Sequence, residues 1–403
     1  MKPLLKASPF ALAAIVIAAS SFLALIVASR TLSKTDNGTF LVFWSVVFAL
    51  SGSLSGMQGE ITRAVISSEG STTGPRTPML RNALLAGGIL AIVCALTAPF
   101  WAPVVGQWSG VAALLVPLAL LAYAGQSAAV GGLIGLDRSG PAAWVVGGEG
   151  AARLVLIATV AASTVGVSGF MLATVIPFAL WPLTALATRS LGTVAALRVP
   201  GSARAFLRTI FYALGGGAFT SVLVNGYPAL LRATTPGETD DLAGVILGIT
   251  LTRAPLLLPL LAFQGLLVSH LARAERGVAP TAWRLLGVLA GVAAVVAGGF
   301  WLLGPWAMTL LYGPGYRLDG GYLALLVCGA AATAFLVVSA GAALATGQHR
   351  RYVLAWGVGT VATFALLLLP GALEWRTSTS LIAGPLAGAA VALLPFRPGR
   401  ARG

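Results

Sequence analysis

Two side chains one helical turn apart, Glu149 and Arg153 in "GGEGAARLVL", interrupt an otherwise apolar stretch of a chain that is poor in charge. An arginine there offers forked donors that match phosphate oxygens, and a carboxylate beside it can balance the charge or titrate. The i,i+4 spacing with the glutamate first is also the favourable order for an ion pair along one helix face. The residues therefore support both an anion-binding group and a pair that lowers its own burial cost. Arg253, in "ITLTRAPLLLP", is a third ionisable group in apolar surroundings. Arg30 and Arg63 lie at opposite ends of the first two apolar runs, where they could guide an anionic head group or serve as interfacial anchors. Cys94 and Cys328 fall in apolar runs, His270 and His349 stand apart, and the 11 acidic residues are scattered, so no metal or other cofactor is expected. A coupling proton or sodium ion stays open, with Glu149 as its carboxylate. No phosphate-cradling glycine loop is present, and no ATP hydrolysis is expected.

The elements that position these groups follow from composition. Of 403 residues 58% are hydrophobic and 9% charged, whereas soluble domains carry about a quarter charged residues. Apolar runs long enough for a hydrocarbon core about 30 Å thick recur throughout. The expected fold is an all-α polytopic membrane protein of about 12 transmembrane helices. These cover about 9–29, 38–58, 80–103, 110–134, 141–163, 168–189, 208–230, 242–268, 283–304, 320–345, 351–371 and 377–396. The first is longer than a usual signal-peptide core and reads as a retained helix. Arg153 and Arg253 each lie twelve residues from a span edge, about 18 Å at 1.5 Å per residue, hence near the midplane. An ionisable group at that depth normally faces a bundle interior or a watery cavity.

The net charge of +14 reflects topology rather than nucleic-acid binding. With the N-terminus inside, outer loops hold only Arg30, Lys34, Arg232, Arg317 and Arg376. Arg153 and Arg253 lie within spans, and the other eighteen of the 25 basic residues face inward. That asymmetry predicts both termini on the cytoplasmic side of a bacterial inner membrane. All loops are short, so no soluble catalytic domain is expected. "ALRVPGSARAFLRTI", with Arg198, Arg204 and Arg208 among apolar residues, reads as an interfacial amphipathic linker over 196–207, between bundles 1–195 and 208–403.

The bundles resemble each other. Gln58-Gly59 recurs as Gln264-Gly265, an offset of 206. "GGLIGLDRSGPAAW" parallels "AALATGQHRRYVLAW" at an offset of 212, which aligns Gly135 with Gly347 and Arg138 with Arg350. An offset of six spans makes two parallel repeats around a central cavity, the construction of transporters that rock one half against the other. The charges do not repeat: at these offsets Glu149, Arg153 and Arg253 map to Val361, Ala365 and Val47.

"ASRTLSKTDNGTFLVFWSVVFAL", with Arg30, Leu32, Gly38 and Phe40, resembles the first-loop pattern of the multidrug/oligosaccharidyl-lipid/polysaccharide (MOP) exporter superfamily. "GEITRAV", "GLDRSGPAAW", "LLYGPGYRLDGGYLALL" and "ALATGQHRRYVLAW" are similar to it as well. The resemblance runs over nearly the whole chain and is closest to polysaccharide-biosynthesis flippases. The family's usual Tyr-Gly is Asn37-Gly38 here, and Glu149 and Arg153 belong to none of its motifs. It implies a non-enzymatic flippase or exporter moving a lipid-linked oligosaccharide or polysaccharide precursor by alternating access. The expected partners are that anionic lipid-linked glycan, membrane lipids and glycan-biosynthesis proteins, with no nucleic acid. A cation-coupled multidrug exporter is the alternative within the superfamily; a membrane glycan enzyme or a scaffold is the alternative outside it.

Overall fold

The computed structural model describes residues 2–68, 74–235, 241–262, 264–275 and 277–394. Of the eighteen basic residues expected to face inward, Arg276, Arg397, Arg400 and Arg402 lie outside the described residues. A bilayer core gives backbone groups no water, so spanning segments must satisfy them internally. Accordingly, all regular structure described is helical except two three-residue strands. Among the described residues nine helices are long and apolar enough to cross a membrane, and Val167–Ala179 with Trp181–Ala187, bent by 43°, makes a tenth. His349–Leu367 and Leu373–Leu393, of 19 and 21 residues, carry arginines in or near their first turns and bring the number to the expected twelve.

The chain forms two compact units, Met1–Ala233 and Thr234–Gly403. In the first, α1 (Lys2–Thr31) packs along α7 (Ser139–Ala161). The approach is close: a Cβ at Gly150 would lie 2.9 Å from both Ile17 Cα and Ser20 Oγ. Ser33 caps α2 (Lys34–Ser53) by accepting from the Asp36 amide at 3.1 Å. The span then breaks at Leu54 and resumes as α3 (Ser55–Ser68). After β1 (Arg76–Pro78) come α4 (Met79–Leu96), the single turn α5 (Ala98–Trp101), a 3-10 stretch Ala102–Trp108, α6 (Ser109–Gly135) and α7. The sixth span is α8 (Val167–Val175), a 3-10 turn Ile176–Ala179 and α9 (Trp181–Ala187). It is followed by α10 (Leu191–Ala196) and β2 (Arg198–Pro200).

Within the amphipathic linker expected over 196–207, residues 198–200 form a strand and 203–207 open α11 (Ala203–Val224), with Arg198 and Arg204 exposed. Val199 and Thr77 each precede a proline, which disfavours helical backbone, and the two segments pair antiparallel with Thr77 opposite Val199. Arg198 is exposed and Val199 fully buried, a two-residue alternation that belongs to a strand. The unit boundary also differs from the one expected at 195–208. Helix α11 (Ala203–Val224) packs on α2 and α3, and α12 (Tyr227–Ala233) on α2, so both belong to the first unit.

Between α11 and α12 the backbone ladder is opened by Pro228, which brings no amide hydrogen, and by one inserted side chain. A continuous helix would join the Ala229 amide to the Asn225 carbonyl. Instead the Ser45 hydroxyl of α2 accepts from Ala229 N at 3.2 Å and donates to Asn225 O at 2.6 Å. Insertion into the i→i−4 ladder is a known cause of sharp bends.

The second unit comprises α13 (Asp241–Ala262), α14 (Gln264–Ala272), α15 (Val278–Tyr312), a 3-10 turn Pro314–Tyr316, α16 (Gly320–Ala345), α17 (His349–Leu367) and α18 (Leu373–Leu393). Helix α16 is apolar all round and packs against each of the other five helices, as expected of a buried span. Arg376, expected in an outer loop, is buried in α18. Its Nε donates to Leu367 O at 3.0 Å and its Nη2 to Thr234 O at 2.9 Å and to Leu367 O. Leu367 ends α17, so Arg376 satisfies a carbonyl that the helix leaves without an internal partner.

The repeat is visible in backbone detail. Its clearest marks are the turns that follow α6 and α16. The turn after α6 is closed by Asp137 N to Ile134 O and Arg138 N to Leu133 O. The turn after α16 is closed by Gly347 N to Leu344 O and Gln348 N to Ala343 O. Both place a left-handed residue at the same step, Asp137 at φ 57° and Gly347 at φ 74°. Gly347 thus stands where Asp137 does, an offset of 210 rather than the 212 read from the residue letters. Arg138 then pairs with Gln348, not Arg350.

Candidate functional site

Helix α7 carries Glu149 and Arg153 on its buried face, at 3% and 0% exposure. Arg153 Nη2 is ion-paired with Glu149 Oε1. The other carboxylate oxygen, Oε2, accepts from Gln126 Nε2 of α6 at 2.6 Å. Both carboxylate oxygens are therefore engaged. The guanidinium is enclosed by aromatic rings, its central carbon 5.0 Å from the Phe48 centroid, 5.2 Å from Phe178 and 5.8 Å from Trp44. Phe178 meets Phe48 and Tyr123 edge-on at 5.9 and 4.9 Å, and Trp44 lies 4.6 Å from Phe48. Four segments build the box: α2 gives Trp44 and Phe48, α6 gives Tyr123 and Gln126, α7 the ion pair, and the turn Ile176–Ala179 gives Phe178.

Desolvated rings attract a guanidinium by up to about 2 kcal/mol each. That attraction and the carboxylate offset the cost of an arginine near mid-membrane, at least about 2.5–3.5 kcal/mol. Hydrogen bonding is incomplete, since Arg153 Nε and Nη1 have no partner among the described residues. The cluster thus holds a cation with two donors unpartnered among the described residues and a carboxylate with one partner on each oxygen. The Gln126 Oε1 acceptor is also vacant. Chemically, two unpartnered donors on a guanidinium suit an incoming acceptor such as a phosphate oxygen.

Of the five residues singled out in the sequence, the structure brings together Glu149 and Arg153. Arg253 is buried in α13 of the other unit. Arg63 is exposed and bidentately paired with Glu60, at 3.0 Å from Nε and 2.5 Å from Nη2. Arg30 is exposed in the last turn of α1. Gln126 and the three rings escaped the sequence reading. An amide isolated in the apolar α6 was the available signal for Gln126; aromatic residues in spans carry none. The register set by the two matching turns maps Glu149 to Gly359 and Arg153 to Thr363, so the second unit still lacks the charges.

No protein-family model matches the chain. Among solved structures, a multidrug resistance MATE family transporter of the MOP superfamily, in its inward-facing conformation, is similar at a TM-score of 0.69. That match has 13% identity and covers 94% of this chain and 96% of that one. A MOP superfamily transporter from Pyrococcus furiosus is similar at 0.66 and 15% identity, covering 96% and 94%. A eukaryotic MATE transporter, AtDTX14, gives 0.64 and 14%. The chain is an all-α, multi-pass membrane protein with the MOP-superfamily fold. Two sequence relatives come from Mycobacterium tuberculosis strain H37Rv. The uncharacterized protein Rv1510 is 35% identical over 380 residues, covering 92% of this chain and 87% of that protein. The uncharacterized protein Rv3630 is 34% identical over 398 residues, covering 95% and 90%. The chain belongs to the family of Rv1510 and Rv3630.

Proposed function

We propose that the chain is a transporter that moves an anionic lipid-linked oligosaccharide or polysaccharide precursor across a bacterial cytoplasmic membrane by alternating access. The observation that carries this reading is a fully buried guanidinium, Arg153, two of whose donor nitrogens, Nε and Nη1, have no partner among the described residues. Diphosphate oxygens are acceptors of the kind a guanidinium fork takes. The substrate's approach would draw Arg153 from its ring enclosure, and Glu149 with Gln126 would hold the site neutral between turnovers. Arg253, Arg30 and Arg63 are candidates for later or earlier contacts with the same head group.

The second reading, a cation-coupled multidrug exporter, draws on the MATE neighbours and on Glu149, the only buried carboxylate among the described residues. It requires that Glu149 leave Arg153 to take up the cation. Reconstituted protein separates the two. On the first reading, a fluorescent polyprenyl-diphosphate glycan is translocated by the wild type and not by Arg153→Met. Equal translocation by Arg153→Met and Arg253→Met would retire the proposed contacts. Drug efflux that follows an imposed proton or sodium gradient and vanishes in Glu149→Gln would establish the second.

A further inference from the structure

A second charged constellation lies in the other unit, where α16 turns into α17 and the end of α18 comes alongside. An open cavity of about 640 Å³ is walled there by Gln348, His349, Arg350 and Arg351 on one side and by Leu354, Val391 and Leu394 on the other. Its volume falls in the range of about 300–1,000 Å³ of small-ligand pockets. Among the described residues no acidic side chain lines it. Arg351 is anchored, its Nη1 donating to Leu394 O at 3.0 Å, and Arg350 is exposed. The first turn of α17 has no side-chain cap, so its amides add the positive end of a 19-residue helix. Directly beside these donors are two exposed leucines, Leu354 at 59% and Leu394 at 55%. Two arginines and large, uncovered apolar side chains in one lining match a phosphodiester joined to hydrocarbon chains.

The internal repeat separates scaffold from function at this place. With Gly347 at the step of Asp137, the residues His349, Arg350 and Arg351 correspond to Ser139, Gly140 and Pro141. The same turn is thus built in the first unit without those three basic side chains, with Arg138 in place of Gln348 and an aspartate in place of the glycine. The turn itself does not need them.

We infer that this cavity is a binding site for an anionic glycerophospholipid, its phosphodiester held by Arg350, His349 and the N-terminus of α17 and its chains lying on Leu354 and Leu394. The inference stands independently of the substrate proposed above.

The test uses the full-length protein in nanodiscs of phosphatidylcholine doped with phosphatidylglycerol, with bound lipid read by native mass spectrometry. A basic residue near an anionic lipid surface is worth about a fivefold change in binding. Arg350→Gln should weaken retained phosphatidylglycerol about fivefold and His349→Gln/Arg350→Gln further. Arg138→Gln, at the counterpart turn, should leave it unchanged, as should phosphatidylcholine binding in every variant. Arg351 is left intact because it ties down the end of α18. Leu354→Ser is the second probe: it should weaken phosphatidylglycerol and leave inorganic diphosphate unaffected. Unchanged phosphatidylglycerol retention in His349→Gln/Arg350→Gln overturns the proposal. So does inorganic diphosphate that competes fully at the same residues while Leu354→Ser has no effect, since the ligand would then be free phosphate.

Discussion

Replacing Arg153 by Met removes one member of a fully buried pair and strands the other. Breaking such a pair costs about 3–5 kcal/mol, because a charge is left without compensation. Glu149 keeps its bond from Gln126, which places Arg153→Met near the lower figure, about 3 kcal/mol. Glu149→Gln strands the guanidinium instead, and the rings of Trp44, Phe48 and Phe178 hold it partly, so a similar loss of about 3 kcal/mol is expected. The double variant Glu149→Gln/Arg153→Met strands nothing. A methionine adapts to the ring-lined space, and an amide still meets Gln126 across α6 and α7. Swapping a buried ion pair for neutral groups is often close to neutral, so the double variant should lose about 1 kcal/mol. Additive behaviour would give about 6 kcal/mol, and the gap of about 5 kcal/mol is the coupling to be measured. The assay is equilibrium unfolding by SDS in mixed micelles, followed by far-UV circular dichroism, for all four proteins. A double variant as unstable as the sum of the singles, within about 0.5 kcal/mol, refutes the argument that the two charges act as a unit. The same variant then serves transport measurements, since a stable but inactive double variant separates substrate contact from scaffolding.

Arg376→Met should destabilise the protein by about 2–4 kcal/mol in the same unfolding assay, because carbonyls at Leu367 and Thr234 lose a charged donor. Arg63→Ala, which breaks a pair whose arginine is 69% exposed, should change stability by less than about 1 kcal/mol; a larger loss would show that Arg63 has a role beyond its pairing with Glu60. Gly150→Val should cost about 1–3 kcal/mol by pressing on Ile17 Cα, and disulfide trapping of cysteines placed on α1 and α7 should slow. An unaltered trapping rate would contradict the close approach.

How much the sequence disclosed depended on the range of the interaction. The ion pair was legible because its spacing is local to one helix. Gln126 and Phe178 were not, because only packing of α6 and the turn Ile176–Ala179 on α7 brings them to it. Arg376 was assigned to water because hydropathy counts a charge as solvated by water alone, whereas two backbone carbonyls solvate it here. The alternation of arginines in the linker fitted a helix face and a strand edge alike; the proline at 200 puts Arg198 on a strand, while Arg204 and Arg208 lie on α11. The repeat was detected, but its register came from the left-handed turns at Asp137 and Gly347, which share no residue letter.

The serine spliced between α11 and α12 has an energetic consequence for the seventh span. In the bent state two hydrogen bonds run through the Ser45 hydroxyl, one received and one given. Were the helix to close on itself, Ala229 would bond Asn225 directly and the hydroxyl would turn to a carbonyl of its own helix, as serines in helices do. For these groups the count is two in either geometry. Pro228, however, has no amide hydrogen for the Val224 carbonyl, and in a closed helix its ring would press on that carbonyl at a cost of about 3 kcal/mol. The serine and the proline together hold the seventh span bent.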